Sequence, residues 1–283
     1  MIYLPCNIPA SYKLQTESYK LDNWKSVSGC LRVLLLNLMP EKQVTELDIS
    51  CVLQQTNVSL QIIPIKIKGQ KYKNVSEEYM DRFYIDFDEI SEYSFDRLII
   101  TGAPLEQIPF EQVRYWGELC DIMDWAVLNV ERTLYICWAA QAGLYHHYNI
   151  QKRLLERKIF GVYGQQVVEP KNPLMKHMLP VFSMPNSRYI EVAREDVVLY
   201  SELSILAESK ESGVGIVSTK DLKSVFILGH LEYAPATLHN EFNRDRNKGI
   251  SIQPPEFYYD SEHRIIYSWG NAAVAFYKNW LIS

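Results

Sequence analysis

The chain has 283 residues, 47% hydrophobic and 22% charged, proportions that exclude disordered and collagen-like classes. Twenty-nine basic against 34 acidic residues give a net charge of −5, with no global electrostatic footprint for nucleic acid or an anionic membrane; a local basic pocket for a phosphorylated ligand stays open. No apolar stretch approaches the roughly 18 residues of a membrane span, and the start, with Pro5 and Pro9 among scattered polar residues, lacks the build of a secretory signal, so a soluble cytoplasmic protein is expected.

Without internal repeats or a long linker, residues 1–30 read as a lead-in and residues 31–283 as one domain. Arg32–Leu38, Leu60–Ile67, Arg97–Thr101 and Thr133–Cys137 are short, nearly continuous apolar runs, as strands buried on both faces should be. Between them fall helical candidates at Glu41–Gln54, Ser76–Ile90, Phe110–Asn129 and Trp138–Tyr148. This alternation predicts an α/β fold, a mainly parallel sheet flanked by helices. The second half is richer in strands, with candidates at Lys158–Tyr163, Leu203–Ala207, Gly213–Val217 and Ser224–Leu228. A helix should run from near Pro235 to about Lys248, stopped by Gly249, and a last one over Asn271–Leu281.

Five cysteines (6, 30, 51, 120 and 137), odd in number and without C-x-x-C spacing, argue against disulfides and a cysteine zinc site. The six histidines lack metal-ligand spacing; His146 and His147 are adjacent and should point about 100° apart on a helix. Gly213-Val214-Gly215 runs into a strand-like segment, and no Walker-type loop exists, so dinucleotide binding is unsupported. The sequons at Asn57 and Asn74 carry no weight without an export signal.

Cys137 ends an apolar strand and an Ala-rich helix opens at Trp138. Such an elbow lifts a side chain out at the carboxyl end of a sheet, aims a helix N-terminus at the sulfur, which favours thiolate, and offers the Trp138 amide to a developing oxyanion. The alternative is a buried structural cysteine. His230 and Glu232 end another apolar strand as Gly-His-x-Glu; in extended backbone they face one side, where the carboxylate can fix the imidazole's tautomer. His230 could then be general base to Cys137.

Ile99-Ile100-Thr101-Gly102-Ala103-Pro104-Leu105-Glu106, Ile136-Cys137-Trp138-Ala139-Ala140-Gln141-Ala142 and Gly229-His230-Leu231-Glu232-Tyr233 resemble the homoserine O-acyltransferase family of methionine biosynthesis, the branch called homoserine O-succinyltransferase. Leu36-Asn37-Leu38-Met39-Pro40 with Thr45-Glu46 fits its N-terminal motif, and the agreement runs from about Arg32 to Gly249. The resemblance implies a class I glutamine amidotransferase-like (flavodoxin-like) fold, a homodimer, and ping-pong acyl transfer with no cofactor beyond acyl-CoA as co-substrate. Cys137 would carry the acyl group, His230 would deprotonate the attacking hydroxyl and Glu232 would orient His230. The family's substrate-contact positions fall on Lys158, Ser187 and Arg244, with Arg244 gripping the substrate carboxylate. Taken alone, Arg244 reads as a solvated helix-face charge, Ser187 as a turn residue and Lys158 as part of a surface cluster. A second oxyanion donor is expected in the turn Asn37–Met39, at Leu38.

Glu106 occupies the position that, in the family, goes with acetyl rather than succinyl donors; a glutamate would repel the distal succinyl carboxylate. Acetyl-CoA is therefore the expected donor. L-serine, one methylene shorter than L-homoserine, is the competing acceptor. The chain departs from the family at Gly164-Gln165-Gln166, where an acidic residue and a histidine are usual, and at Tyr267-Ser268-Trp269-Gly270-Asn271, in place of a Trp-Arg-x-His segment. A glutamine amidohydrolase would use the same Cys-His-Glu set, but its elbow is usually Gly-x-Cys-x-Gly, and neither glycine is here. A non-catalytic α/β binding module with Cys137 buried is the remaining alternative.

Overall fold

Unbroken apolar runs survive as strands only when both sheet faces are covered, and that is their fate here. The computed structural model describes residues 1–68, 70–72 and 74–283. Its strands are β1 (Ile2–Pro5), β2 (Glu17–Tyr19), β3 (Leu31–Leu36), β4 (Leu60–Lys66), β5 (Ile85–Asp86), β6 (Phe95–Ile100), β7 (Val130–Ile136), β8 (Lys152–Val167), β9 (Val181–Val192), β10 (Leu203–Ser209), β11 (Gly213–Thr219) and β12 (Ser224–Ile227). The helices are α1 (Pro9–Leu14), α2 (Lys42–Gln55), α3 (Glu77–Phe83), α4 (Phe87–Ile90), α5 (Trp116–Asn129), α6 (Trp138–Tyr148), α7 (Arg194–Val197), α8 (Thr237–Asn247) and α9 (Gly270–Ile282).

The strands form one sheet in the order β2-β1-β4-β3-β6-β7-β12-β11-β10-β8-β9, with β5 beside β4. Pairing is parallel from β2 to β12 and antiparallel from β12 to β9. Val33 and Leu35 of β3 enter one core, and Leu34 and Leu36 the other. In β7, Leu134 and Ile136 go one way and Tyr135 the other. Chain order reverses between β3 and β6, and a crevice opens at the carboxyl ends of the strands there, where open α/β sheets bind ligands.

Several expectations shift. The first thirty residues do not hang off the domain: Ile2 and Tyr3 pair with Leu60 and Gln61, which extends the sheet. The helix expected over Ser76–Ile90 is broken at Tyr84, and Ile85 pairs with Ile65 before α4 begins. Phe110–Gln112 is a separate 3-10 turn ahead of α5. Segment 181–192 is a strand that the sequence hides, because Pro185 and alternate polar residues interrupt it; as the sheet's edge, β9 tolerates the proline. Among the described residues no helix is long and apolar enough to cross a membrane.

Candidate active site

Parallel neighbours β7 and β12 are in register, with Ile136 opposite Ile227, so the residues that leave the two strands emerge at the same edge. Cys137 donates its amide to Ile227 O at 2.7 Å, and then the chain turns into α6. Its backbone has φ +53° and ψ −112°, a conformation that costs a non-glycine residue of order 1–3 kcal/mol and persists only where the surroundings impose it. Trp138, the first helical residue, has an amide that the helix itself cannot use.

Past β12, the His230 amide donates to Pro185 O at 2.8 Å, which ties the histidine to β9. Its Nδ1 lies 2.7 Å from Glu232 Oε1. The ring also feels the Cys137 side chain, and with Nδ1 committed to Glu232, Nε2 is the nitrogen left for another partner. Cys137, His230 and Glu232 are all buried, at 6%, 3% and 7% exposure. Burial pulls the His230 pKa down, but the Cys137 sulfur and the Glu232 carboxylate outweigh it and hold the imidazole well above its ordinary value. The pair is built to carry a proton on the ring. Tyr233 stacks on that ring with centroids 4.1 Å apart, and Trp269 Nε1 donates to Tyr233 O at 2.8 Å. Trp269, within the C-terminal segment that departs from the family pattern, thus props the histidine's stacking partner.

His230, Glu232 and Tyr233 border a cavity of about 250 Å³. Met39 and Pro40 line it after β3, Thr101 and Gly102 after β6, His230 and Glu232 after β12, and Arg244 from α8. Arg244 is therefore on the pocket wall, its Nε donating to Asp245 Oδ1 at 2.8 Å. Lys158 reaches the same aspartate at 3.6 Å. Ser187 stands one residue removed, its Oγ donating at 2.6 Å to Glu241, which lines the cavity and also accepts from Tyr233 at 3.0 Å. Glu106 Oε1 accepts from the Tyr189 amide at 3.1 Å. Burial raises its pKa, against the pull of that bond and of Lys158, His230 and Arg188, which places the carboxylate among the site's cations.

Leu38 needs correction. Its amide donates to Thr101 Oγ1 at 2.7 Å and the Met39 amide to Asn37 Oδ1 at 3.2 Å, so neither is offered to an oxyanion. The segment that abuts the elbow is instead Gly102, where a Cβ would sit 3.3 Å from Cys137 Cβ and 3.6 Å from the Trp138 nitrogen. His146 and His147 do not point apart: their rings lean together, 4.8 Å between centroids, and one ligand atom from each groups with one from Asp124 within 4.8 Å. Burial and His146 push His147 down to about 4.

Two buried cations went unnoticed in the sequence. Arg188 donates to Asn186 Oδ1, to Ile190 O at 2.6 Å and to Ser212 O. Burial lowers its pKa, while Cys137, Glu191 and Glu106 oppose that, so its field reaches the Cys137 sulfur. Lys42 donates to Asn37 O and to Gln70 Oε1, pinning the turn after β3; burial lowers its pKa to about 7, with Glu46 opposing. A charged residue at an inward position of a strand or helix was the available signal for both.

The architecture defines a class I glutamine amidotransferase-like α/β protein with a Cys-His-Glu constellation at its sheet edge. A solved glutamine amido transferase from Methylobacillus flagellatus is similar in fold, with a TM-score of 0.57 at 10% identity over 89% of this chain and 93% of that one. At sequence level, residues 2–282 match the family model for homoserine O-succinyltransferase, and the chain belongs to that family. It is 44% identical to a homoserine O-acetyltransferase of Azobacteroides pseudotrichonymphae genomovar. CFP2, over 98% of this chain and 91% of that protein. It is also 42% identical to a homoserine O-acetyltransferase of Petrotoga mobilis, over 99% and 93%.

Proposed function

We propose that this protein moves an acetyl group from acetyl-CoA to the hydroxyl of L-homoserine through an acyl-enzyme on Cys137, in methionine biosynthesis and without a further cofactor. The observation that carries the reading is the strained Cys137 elbow within electrostatic reach of an imidazole whose Nδ1 is held by Glu232. The Cys137 sulfur adds to the thioester carbonyl, the bond to the CoA sulfur breaks, and CoA leaves as the thiol with the proton from His230. The acceptor hydroxyl then gives its proton to His230 as its oxygen attacks. The C–S bond to Cys137 breaks, which leaves the sulfur as thiolate beside the protonated His230, the pair from which the first step began. The Trp138 amide, with the Gly102 turn beside it, would stabilise the tetrahedral oxyanion, and Arg244 would hold the acceptor's carboxylate.

Acetyl is favoured over succinyl by the names of the 41–44% identical relatives and by Glu106, a mostly buried carboxylate where a second carboxylate would be repelled. Crossing acetyl-CoA and succinyl-CoA with L-homoserine and L-serine, with CoA release and the intact mass of the protein as readouts, tests every part. Preferential succinylation defeats the donor assignment, and faster transfer to serine the acceptor assignment. Glutamine hydrolysis without CoA dependence would return the protein to the chemistry named for its structural neighbour.

A further inference from the structure

We infer that Asp48 is the counter-ion for the α-ammonium of the acceptor amino acid; this rests on the acyl-transfer reading above. The cavity wall carries four carboxylates, Glu41, Asp48, Glu232 and Glu241, against Arg244 and His230. All four accept hydrogen bonds, Glu41 from the Asn74 amide, Glu232 from His230 and Glu241 from the Ser187 and Tyr233 hydroxyls, but Glu41 is exposed, Glu241 is half-buried within the field of Arg244, and Glu232 has His230 as its cation. Asp48, only 6% exposed, accepts from Thr237 Oγ1 at 2.8 Å and from the Ala234 backbone, and among the described residues no lysine or arginine pairs with it. An anion buried without a cation is unfavourable by several kcal/mol, and the protein holds this one at the edge of its reaction cavity.

The geometry fits a zwitterion. Thr237, which anchors Asp48, and Arg244 are seven residues apart on α8, two turns or roughly 10 Å along one face. Asp48 and Arg244 line the same cavity, so an amino acid bound there can meet the two charges at its two ends. The hydroxyl end of the acceptor is then directed at His230, whose charge, like that of Glu232, is felt at Asp48. A pocket with carboxylates in excess draws an ammonium group and discriminates against a hydroxy acid that lacks it. The competing role is structural, with Asp48 merely fastening the start of α8.

Asp48→Asn separates these roles, because the amide oxygen can keep both hydrogen bonds while the charge is gone. The acyl-enzyme is formed with acetyl-CoA, and its decay is followed by intact mass with L-homoserine, with 4-hydroxybutanoate (the same molecule without the ammonium) and with water alone. In Asp48→Asn we expect acylation and hydrolysis within twofold of wild type. Transfer to homoserine should fall at least tenfold at subsaturating acceptor, while transfer to 4-hydroxybutanoate should stay within twofold. Thr237→Val, which loosens the same carboxylate, should lower only the homoserine step, by severalfold. Equal losses with both acceptors, or an unchanged homoserine rate, would overturn the assignment. A wild-type protein that gains no acyl mass on Cys137 with either CoA ester would instead overturn the acyl-transfer reading, and this inference with it.

Discussion

The Gly-His step at the end of β12 permits a sharp test of how tightly the site is built. A Cβ placed on Gly229 would lie 2.7 Å from Pro185 O, a backbone atom, and 2.9 and 3.0 Å from Met184 Cε and Cγ. Contact between carbon and a carbonyl oxygen wants roughly 3.2 Å or more, so Gly229→Ala must push β12 and β9 apart by about half an ångström. Met184 can yield, but the carbonyl cannot move without disturbing the bond it accepts from the His230 amide, 2.8 Å away. The strain should destabilise the fold by about 1–3 kcal/mol. Displacement of the imidazole from the Cys137 sulfur is the more sensitive consequence, since misplacement of about 1 Å at a reacting group can cost 10²-fold. We therefore expect turnover, read as CoA release, to drop by about 10- to 100-fold. Iodoacetamide should alkylate Cys137 more slowly, and the unfolding midpoint should fall by several degrees. A variant with unaltered turnover and alkylation would show that the β9–β12 junction does not set the position of His230.

Glu106→Leu should improve succinyl-CoA relative to acetyl-CoA in kcat/KM by about tenfold, because the like charge disappears while acetyl has none to lose; an unchanged ratio would remove Glu106 from donor selection. Asp48 has its pKa raised by burial from 3.8 to about 6, so the folded protein binds a proton there at pH values where the unfolded chain does not. The destabilisation is complete above pH 7 and fades as pH falls through 6 toward 4. Asp48→Asn should therefore be more stable than wild type by about 3 kcal/mol at pH 8 in urea unfolding, with the two converging near pH 4. Arg97, buried on β6, donates to Trp280 O and Leu281 O at the end of α9 and to Glu131. Arg97→Met should cost about 1–3 kcal/mol in the same assay, because two helix-end carbonyls lose their donor, while leaving the rate at low temperature nearly intact.

The parallel half of the sheet was legible because β3, β4, β6 and β7 each contain a short, nearly continuous apolar run, a pattern with few other readings. Trp138–Tyr148 was placed to the residue, since the strand-end cysteine sets its start and Asn149, at φ +53°, its end. The antiparallel half was harder. β8 carries charges along its exposed reach and β9 has Pro185 at its centre, so neither shows a clean alternation. In the site, Cys137, His230 and Glu232 could be singled out because each ends an apolar strand with chemistry-bearing side chains. Leu38 could not be judged, because only the folded turn reveals that the Thr101 hydroxyl occupies its amide. Asp48 was invisible for a similar reason: it lies on a helix in ordinary polar company, and its lack of a cation is a property of the assembled cavity.

The cavity draws on three stretches of chain, near residues 39–48, 101–102 and 230–244, which follow the parallel strands β3, β6 and β12 and meet only once the sheet is built. Parallel pairing demands long-range loop closure, so no local fragment can organise this pocket early and its assembly must wait for the sheet to close. Selective thiol reactivity at Cys137 is thus a late event in refolding. It should lag behind the return of helical content, and its recovery would time the moment when the two halves of the sheet join.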